Sequence, residues 1–89
     1  MDAWDPHEPW DAPNYYTEMY LPDYDSEIVN PVYGYWQDTA GLSEEKLNKA
    51  YATYCGEITM VDIWLGYFLN KVENMGLMDD NTAINITAD

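Results

Sequence analysis

All five prolines, Pro6, Pro9, Pro13, Pro22 and Pro31, fall within the first 31 residues, and none follows. Each removes a backbone donor, fixes φ and biases the preceding residue toward extended geometry. No long helix fits between them. Residues 1–42 therefore read as a long irregular loop with short extended pieces. The same stretch carries Trp4, Trp10, Tyr15, Tyr16, Tyr20 and Tyr24, together with nine acids and neither lysine nor arginine. A structureless stretch of roughly 40 residues is rare in a self-contained domain. It points to a functional loop, or to a segment that leans on other protein.

Past the prolines the pattern changes. Leu47, Tyr51, Tyr54, Ile58, Val61, Leu65, Phe68, Val72 and Met75 recur in alternating steps of four and three. That spacing predicts one continuous helix over residues 43–76. Ser43 is a natural N-cap, and Glu44 and Glu45 suit the positive end of the helix dipole. Lys46 stands where a full capping box needs Glu or Gln. Gly76 followed by Leu77 is a C-terminal stop, with Leu77 folding back on Val72. Gly56 and Gly66 each cost about 1 kcal/mol against alanine inside a helix, so something is expected to pack closely there. Residues 77–81 read as a turn. Residues 82–88, Thr-Ala-Ile-Asn-Ile-Thr-Ala, read as a strand rich in β-branched side chains. A helix leading through a short turn into a strand is half of an α/β unit, and Asp89 follows at the place where such folds put site residues.

The charge narrows the function. With 17 acids against 3 lysines, the net charge is −14 over 89 residues. Phosphate affinity comes from cationic side chains, so direct nucleic-acid binding is excluded, as is docking on anionic membrane. No apolar run reaches the roughly 20 residues of a membrane span. The start, Met-Asp-Ala-Trp-Asp, lacks the basic and apolar regions of a signal peptide. The single cysteine, Cys55, rules out an internal disulfide and a multi-cysteine zinc site. The hydrophobic share is 47%, but nine tyrosines and four tryptophans supply much of it, and these bury well only when their polar ends find partners.

Most single motifs favour plain readings. Cys55 has no histidine near it in sequence and reads as a small buried residue rather than a nucleophile. Asn85-Ile86-Thr87 matches a glycosylation pattern but falls in the expected strand. Asp79-Asp80 reads as turn chemistry before metal ligation. The most unusual string is Asp5-Pro6-His7-Glu8-Pro9-Trp10. It holds the only histidine between two prolines and two tryptophans; such an imidazole can bind an anion or donate a proton, but composition alone favours a surface turn here too.

Two stretches resemble the sulfatase family of the alkaline-phosphatase-like superfamily. Trp4-Asp-Pro-His-Glu-Pro-Trp-Asp-Ala-Pro-Asn-Tyr-Tyr16 is similar to the family loop whose Pro-His-x-Pro element supplies an active-site histidine. Tyr51 to Asp89 is similar to the family's long helix, with Tyr, Ile, Val-Asp, Gly and Leu in order, followed by Gly-Leu-x-Asp-Asn-Thr and a strand that ends in an acid. The resemblance implies that His7 contacts the sulfate group and helps the leaving oxygen depart. It implies that Asp89 ligates a divalent cation, calcium or magnesium, for which a carboxylate oxygen is an apt ligand. It makes Asp62 structural. Ala88, where the family often has Ser, and the polar Asn85 depart from the pattern. The family nucleophile, a Cys or Ser in Cys/Ser-x-Pro/Ala-x-Arg that becomes formylglycine, is not present: Cys55 is followed by Gly-Glu-Ile-Thr.

The expected fold class is accordingly α/β, as an internal fragment of a sulfatase domain. Residues 1–42 form an active-site loop segment, 43–76 the long helix and 82–88 a C-terminal strand. The complete protein would hydrolyse a sulfate ester with a divalent cation, and the isolated chain would be inactive. Its partners would be the sulfate-ester substrate and the remainder of the domain, with no nucleic acid and no membrane. The competing expectation is an acidic interaction protein or nucleic-acid mimic that occupies a basic partner. Salt-sensitive binding to a basic protein favours that reading; a nucleophile motif upstream in a longer reading frame favours the hydrolase.

Overall fold

The computed structural model describes residues 2–30 and 41–88. Two helices form: α1, Asn14–Thr17, and α2, Glu44–Asn74. The expected helix is present with its expected ends. The Ser43 hydroxyl accepts from the Lys46 amide at 3.2 Å, a cap of about 1 kcal/mol. Gly76 takes φ 73°, and the Leu77 amide donates to the Val72 carbonyl at 3.2 Å, which closes the terminus as a left-handed glycine stop. Within the loop half the sequence reading placed no helix. One turn nevertheless forms between Pro13, in extended geometry at the N-cap, and Pro22 beyond the end.

The most deeply buried face of α2 is not the apolar stripe. Its buried residues are Lys49, Ala52, Thr53, Gly56 and Glu57. At 3.6 residues per turn these lie roughly 140° around the helix from the stripe. Against them sit Ala12 and α1, with Tyr16 and Thr17 buried; Val29 is buried as well. Gly56 is what allows the approach. A Cβ there would stand 2.9 Å from Thr17 Oγ1 and 3.0 Å from Thr17 N, so the close packing expected at this glycine is Thr17 of α1. At Gly66 nothing comes within 4 Å. Meanwhile Leu47, Tyr51, Ile58, Phe68 and Met75 on the stripe remain exposed.

The outcome is an open molecule. The radius of gyration is 16.7 Å, where a compact chain of this length has about 12 Å. The surface is 7101 Å², against about 5,400 Å² for a compact monomer of this mass.

The α/β expectation is not met. Among the described residues no strand or sheet forms, and 82–88 carries no regular structure. Ile84 and Ile86 are exposed. β-branched residues favour an extended chain, but a strand exists only through hydrogen bonds to a neighbour, and among the described residues no backbone group bonds to 83–88. The turn before it is as expected. Asp79 Oδ1 accepts from the Asn81 amide at 2.9 Å and from the Thr82 hydroxyl at 3.1 Å, so Asp79 serves the turn.

Candidate functional site

The segment from Trp4 to Trp10 folds on itself around His7. The His7 amide donates to the Trp4 carbonyl at 3.1 Å, and Trp10 Nε1 donates to the Pro6 carbonyl at 3.1 Å. The imidazole lies against the Trp4 ring, with centroids 4.5 Å apart. Its Nδ1 is 2.9 Å from the Glu8 carbonyl. A carbonyl only accepts, so Nδ1 carries the proton in that bond and Nε2 is the nitrogen left to exchange one. The side chain is 51% exposed, within reach of a ligand.

Two contacts tie this loop to α2. Trp10 packs on Tyr54 with ring centroids 5.2 Å apart. The Ala12 amide donates to Glu57 Oε1 at 2.5 Å. Glu57 is 1% exposed, and its Oε2 has no hydrogen-bond partner among the described residues. An unpartnered buried polar atom costs about 1–3 kcal/mol. Burial pushes the Glu57 carboxyl above its ordinary range; the Ala12 N–H offsets part of the rise, and the charge of Asp5 adds to it.

A second tether holds the loop after α1. Lys49, its side chain 9% exposed, meets Asp25 at 2.8 Å, Glu27 at 2.7 Å and Glu45 at 3.1 Å. Lys46 pairs with Glu27 as well. The Lys49 hydrogen bond lowers Asp25, and the hydrogen bonds from Lys46 and then Lys49 lower Glu27. The same three carboxylates raise Lys49, so that it stays charged.

These shifts set a pH profile. Glu57 holds its proton more tightly folded than unfolded. Stability therefore falls as pH rises from the ordinary carboxylate value through the raised one. Asp25 and Glu27 act in the other sense: their contribution is present above the ordinary value and is lost as pH falls through the lowered ones. Stability is expected to peak at about pH 4–5, in the ordinary carboxylate range. Glu57→Gln flattens the alkaline side of that peak. Thermal melts of both proteins across pH check this, and an unchanged alkaline slope in E57Q contradicts it.

Of the residues singled out from sequence, His7 lies in this braced loop. Asp62 is exposed on α2, and Cys55 is half-buried without a histidine beside it. Asp89, the expected cation ligand, lies outside the described residues, as do Pro31, Tyr33, Tyr35 and Trp36. Among the described residues no group of three or more His, Cys, Asp or Glu side chains is placed to hold a metal ion. No helix there is long and apolar enough to cross a membrane. Glu57 and Lys49 escaped the sequence reading. Their signal was an acid and a lysine spaced with Ala52, Thr53 and Gly56 on one helix face. Beside His7 a groove of about 1490 Å³ opens between Trp4, Tyr54, Trp64, Phe68 and the tail near Ile84.

No protein-family model matches the chain, and no solved structure matches it closely enough to compare. Among characterised proteins, an arylsulfatase of Clostridium perfringens is 29% identical over an 89-residue alignment that takes in 84% of this chain. The chain spans 18% of that enzyme's length. A protein that braces its one histidine between prolines against a long helix is thus similar, through most of its length, to a minor part of an arylsulfatase.

Proposed function

We propose that this chain is the histidine-loop and long-helix portion of a sulfatase-type hydrolase, which in its complete form cleaves sulfate esters. The observation that carries the reading is the arylsulfatase similarity, which takes in 84% of the chain. The geometry around His7 is compatible with the role. With Nδ1 engaged by the Glu8 carbonyl, Nε2 contacts the sulfate group and delivers a proton to the departing oxygen.

The divalent cation, calcium or magnesium, would polarise the sulfate oxygens when bound. The described residues form no cation cluster. In this reading Asp89 is the ligand this chain contributes, and other ligands come from elsewhere in the protein. The nucleophile also comes from elsewhere, because Cys55 in Tyr-Cys-Gly-Glu does not fit the formylglycine motif. The uncovered stripe of α2, Leu47 through Met75, is the surface on which the remainder of the domain packs. Its exposure here fits a piece of a larger core better than a free-standing domain.

The test follows the reading frame. The sequence upstream is expected to encode Cys/Ser-x-Pro/Ala-x-Arg. The product of that longer frame is expected to hydrolyse p-nitrophenyl sulfate in the presence of calcium or magnesium, whereas the 89-residue chain is silent. A longer product with no such motif and no sulfate-ester hydrolysis sinks the proposal. So does turnover by the 89-residue chain above a His7→Ala control, since that locates the chemistry in the wrong set of residues.

A further inference from the structure

We infer that Glu57 is a positioning residue for His7, its carboxyl fixing the end of the 4–12 loop through the Ala12 amide and so setting where the imidazole stands. The inference rests on the hydrolase reading for its purpose, but its geometry is independent of it. The loop is braced internally by the bonds from His7 to Trp4 and from Trp10 to Pro6, so it moves as a unit. Such a unit is placed by the packing of α1, which follows it directly, against α2, and by two ties of its own to α2. Those ties are the Trp10–Tyr54 ring contact and the bond from the Ala12 amide to Glu57. The ring contact is non-directional and allows sliding. The hydrogen bond has direction, and it starts from a carboxyl that is 1% exposed and cannot reorient toward water.

The choice of residue supports the same conclusion. A buried carboxyl whose Oε2 has no partner among the described residues and which feels the charge of Asp5 is a poor filler for a buried face, where an aliphatic side chain packs without penalty. What glutamate supplies there is an acceptor on a side chain long enough to meet the Ala12 amide from the helix. Aspartate at the same place is one methylene shorter. Glutamine keeps both reach and acceptor without the charge.

The experiment compares the 89-residue chain with Glu57→Gln, Glu57→Asp and Glu57→Ala by heteronuclear NMR, with far-UV circular dichroism as the control for α2. His7 is the only histidine, so its ring Cε1 proton is an unambiguous probe, shifted by the Trp4 ring 4.5 Å away. In E57D and E57A the Ala12 amide is expected to exchange about tenfold faster, the effect of losing one hydrogen bond to a charged group. The His7 ring signal moves toward that of free imidazole. In E57Q both stay near wild type. If E57A loses helix content, E57D against E57Q decides alone. The inference is overturned if E57D and E57Q behave alike, whether both match wild type or both depart from it. No sulfate ester enters these measurements. Loss of the hydrolase reading therefore leaves a confirmed anchor standing, and an active complete enzyme does not rescue a failed one.

Discussion

Under the proposed sulfatase reading, His7→Ala in the complete protein is expected to lower kcat for sulfate-ester cleavage by about 10²–10⁴-fold, the usual worth of a positioned general acid. The size of the loss depends on the leaving group. A nitrophenolate departs readily without a proton, so p-nitrophenyl sulfate should lose least. Phenyl and alkyl sulfates need the proton more and should lose most. That gradient separates proton donation from simple anion binding, which would raise KM for every ester alike. Equal losses across the series would remove His7 from the proton-transfer step and leave it a sulfate contact. The structure gives a reason to expect the gradient. The Glu8 carbonyl occupies Nδ1, so one nitrogen alone is available to substrate, and the ring lies against Trp4.

How much of this could be read before any coordinates depended on whether the signal was local. The helix over 43–76 was legible because every part of it is near in sequence: the spacing of apolar residues, the Ser43 hydroxyl three residues from the amide it caps, and the glycine with its left-handed φ at position 76. The observed span, Glu44–Asn74, differs only by the capping residues. The strand over 82–88 failed for the complementary reason. Its Ile and Thr residues express a preference that only a hydrogen-bonding neighbour makes real, and none of the described residues supplies one.

The packed face of α2 was illegible for a subtler reason. Hydrophobic periodicity shows where a helix is able to bury area. It does not say which partner arrives. Here the partner is the proline-rich segment, whose own contacts are the small Ala12 and the polar Thr17. It therefore sits on the narrow ridge of Ala52, Thr53 and Gly56, with Lys49 and Glu57 at its flanks making the specific bonds. Much of the long stripe stays exposed: Trp10 meets it at Tyr54, and the tail near Ile84 borders the groove at Val61, Leu65 and Phe68. Gly56 was the one sequence signal that pointed to the ridge, since an internal helix glycine implies a close neighbour. His7 stands out in the sequence because it is the only histidine and lies between prolines. The bond from Ala12 to Glu57, 45 residues later, does not, because nothing in either segment alone encodes their meeting.

The ridge makes the sign of a single substitution depend on position. Gly→Ala inside a helix is worth up to about 1 kcal/mol in its favour. At Gly66 nothing among the described residues opposes that gain, because none of their atoms stands within 4 Å of the added Cβ. Gly66→Ala is expected to stabilise the chain by about that amount. At Gly56 the added carbon meets Thr17 Oγ1 at 2.9 Å, Thr17 N at 3.0 Å and Thr17 Cα at 3.2 Å. Two of those three atoms are backbone, and Thr17 is 1% exposed, so no side-chain rotation relieves the clash and α1 itself has to move away. Overpacking of that kind costs about 1–3 kcal/mol, enough to cancel the helix gain and leave Gly56→Ala destabilised. The damage is not confined to α1. Tyr54 and Glu57, which hold Trp10 and Ala12, flank Gly56 on the same helix, so a displaced α1 pulls on the segment that carries His7. Urea unfolding of G56A and G66A, followed by tryptophan fluorescence, should therefore move the midpoint in opposite directions. G56A should also speed exchange at the Ala12 amide while G66A leaves it unchanged. A rise in stability for both variants would mean that Thr17 yields easily, and that the ridge does not fix the loop's place on the helix.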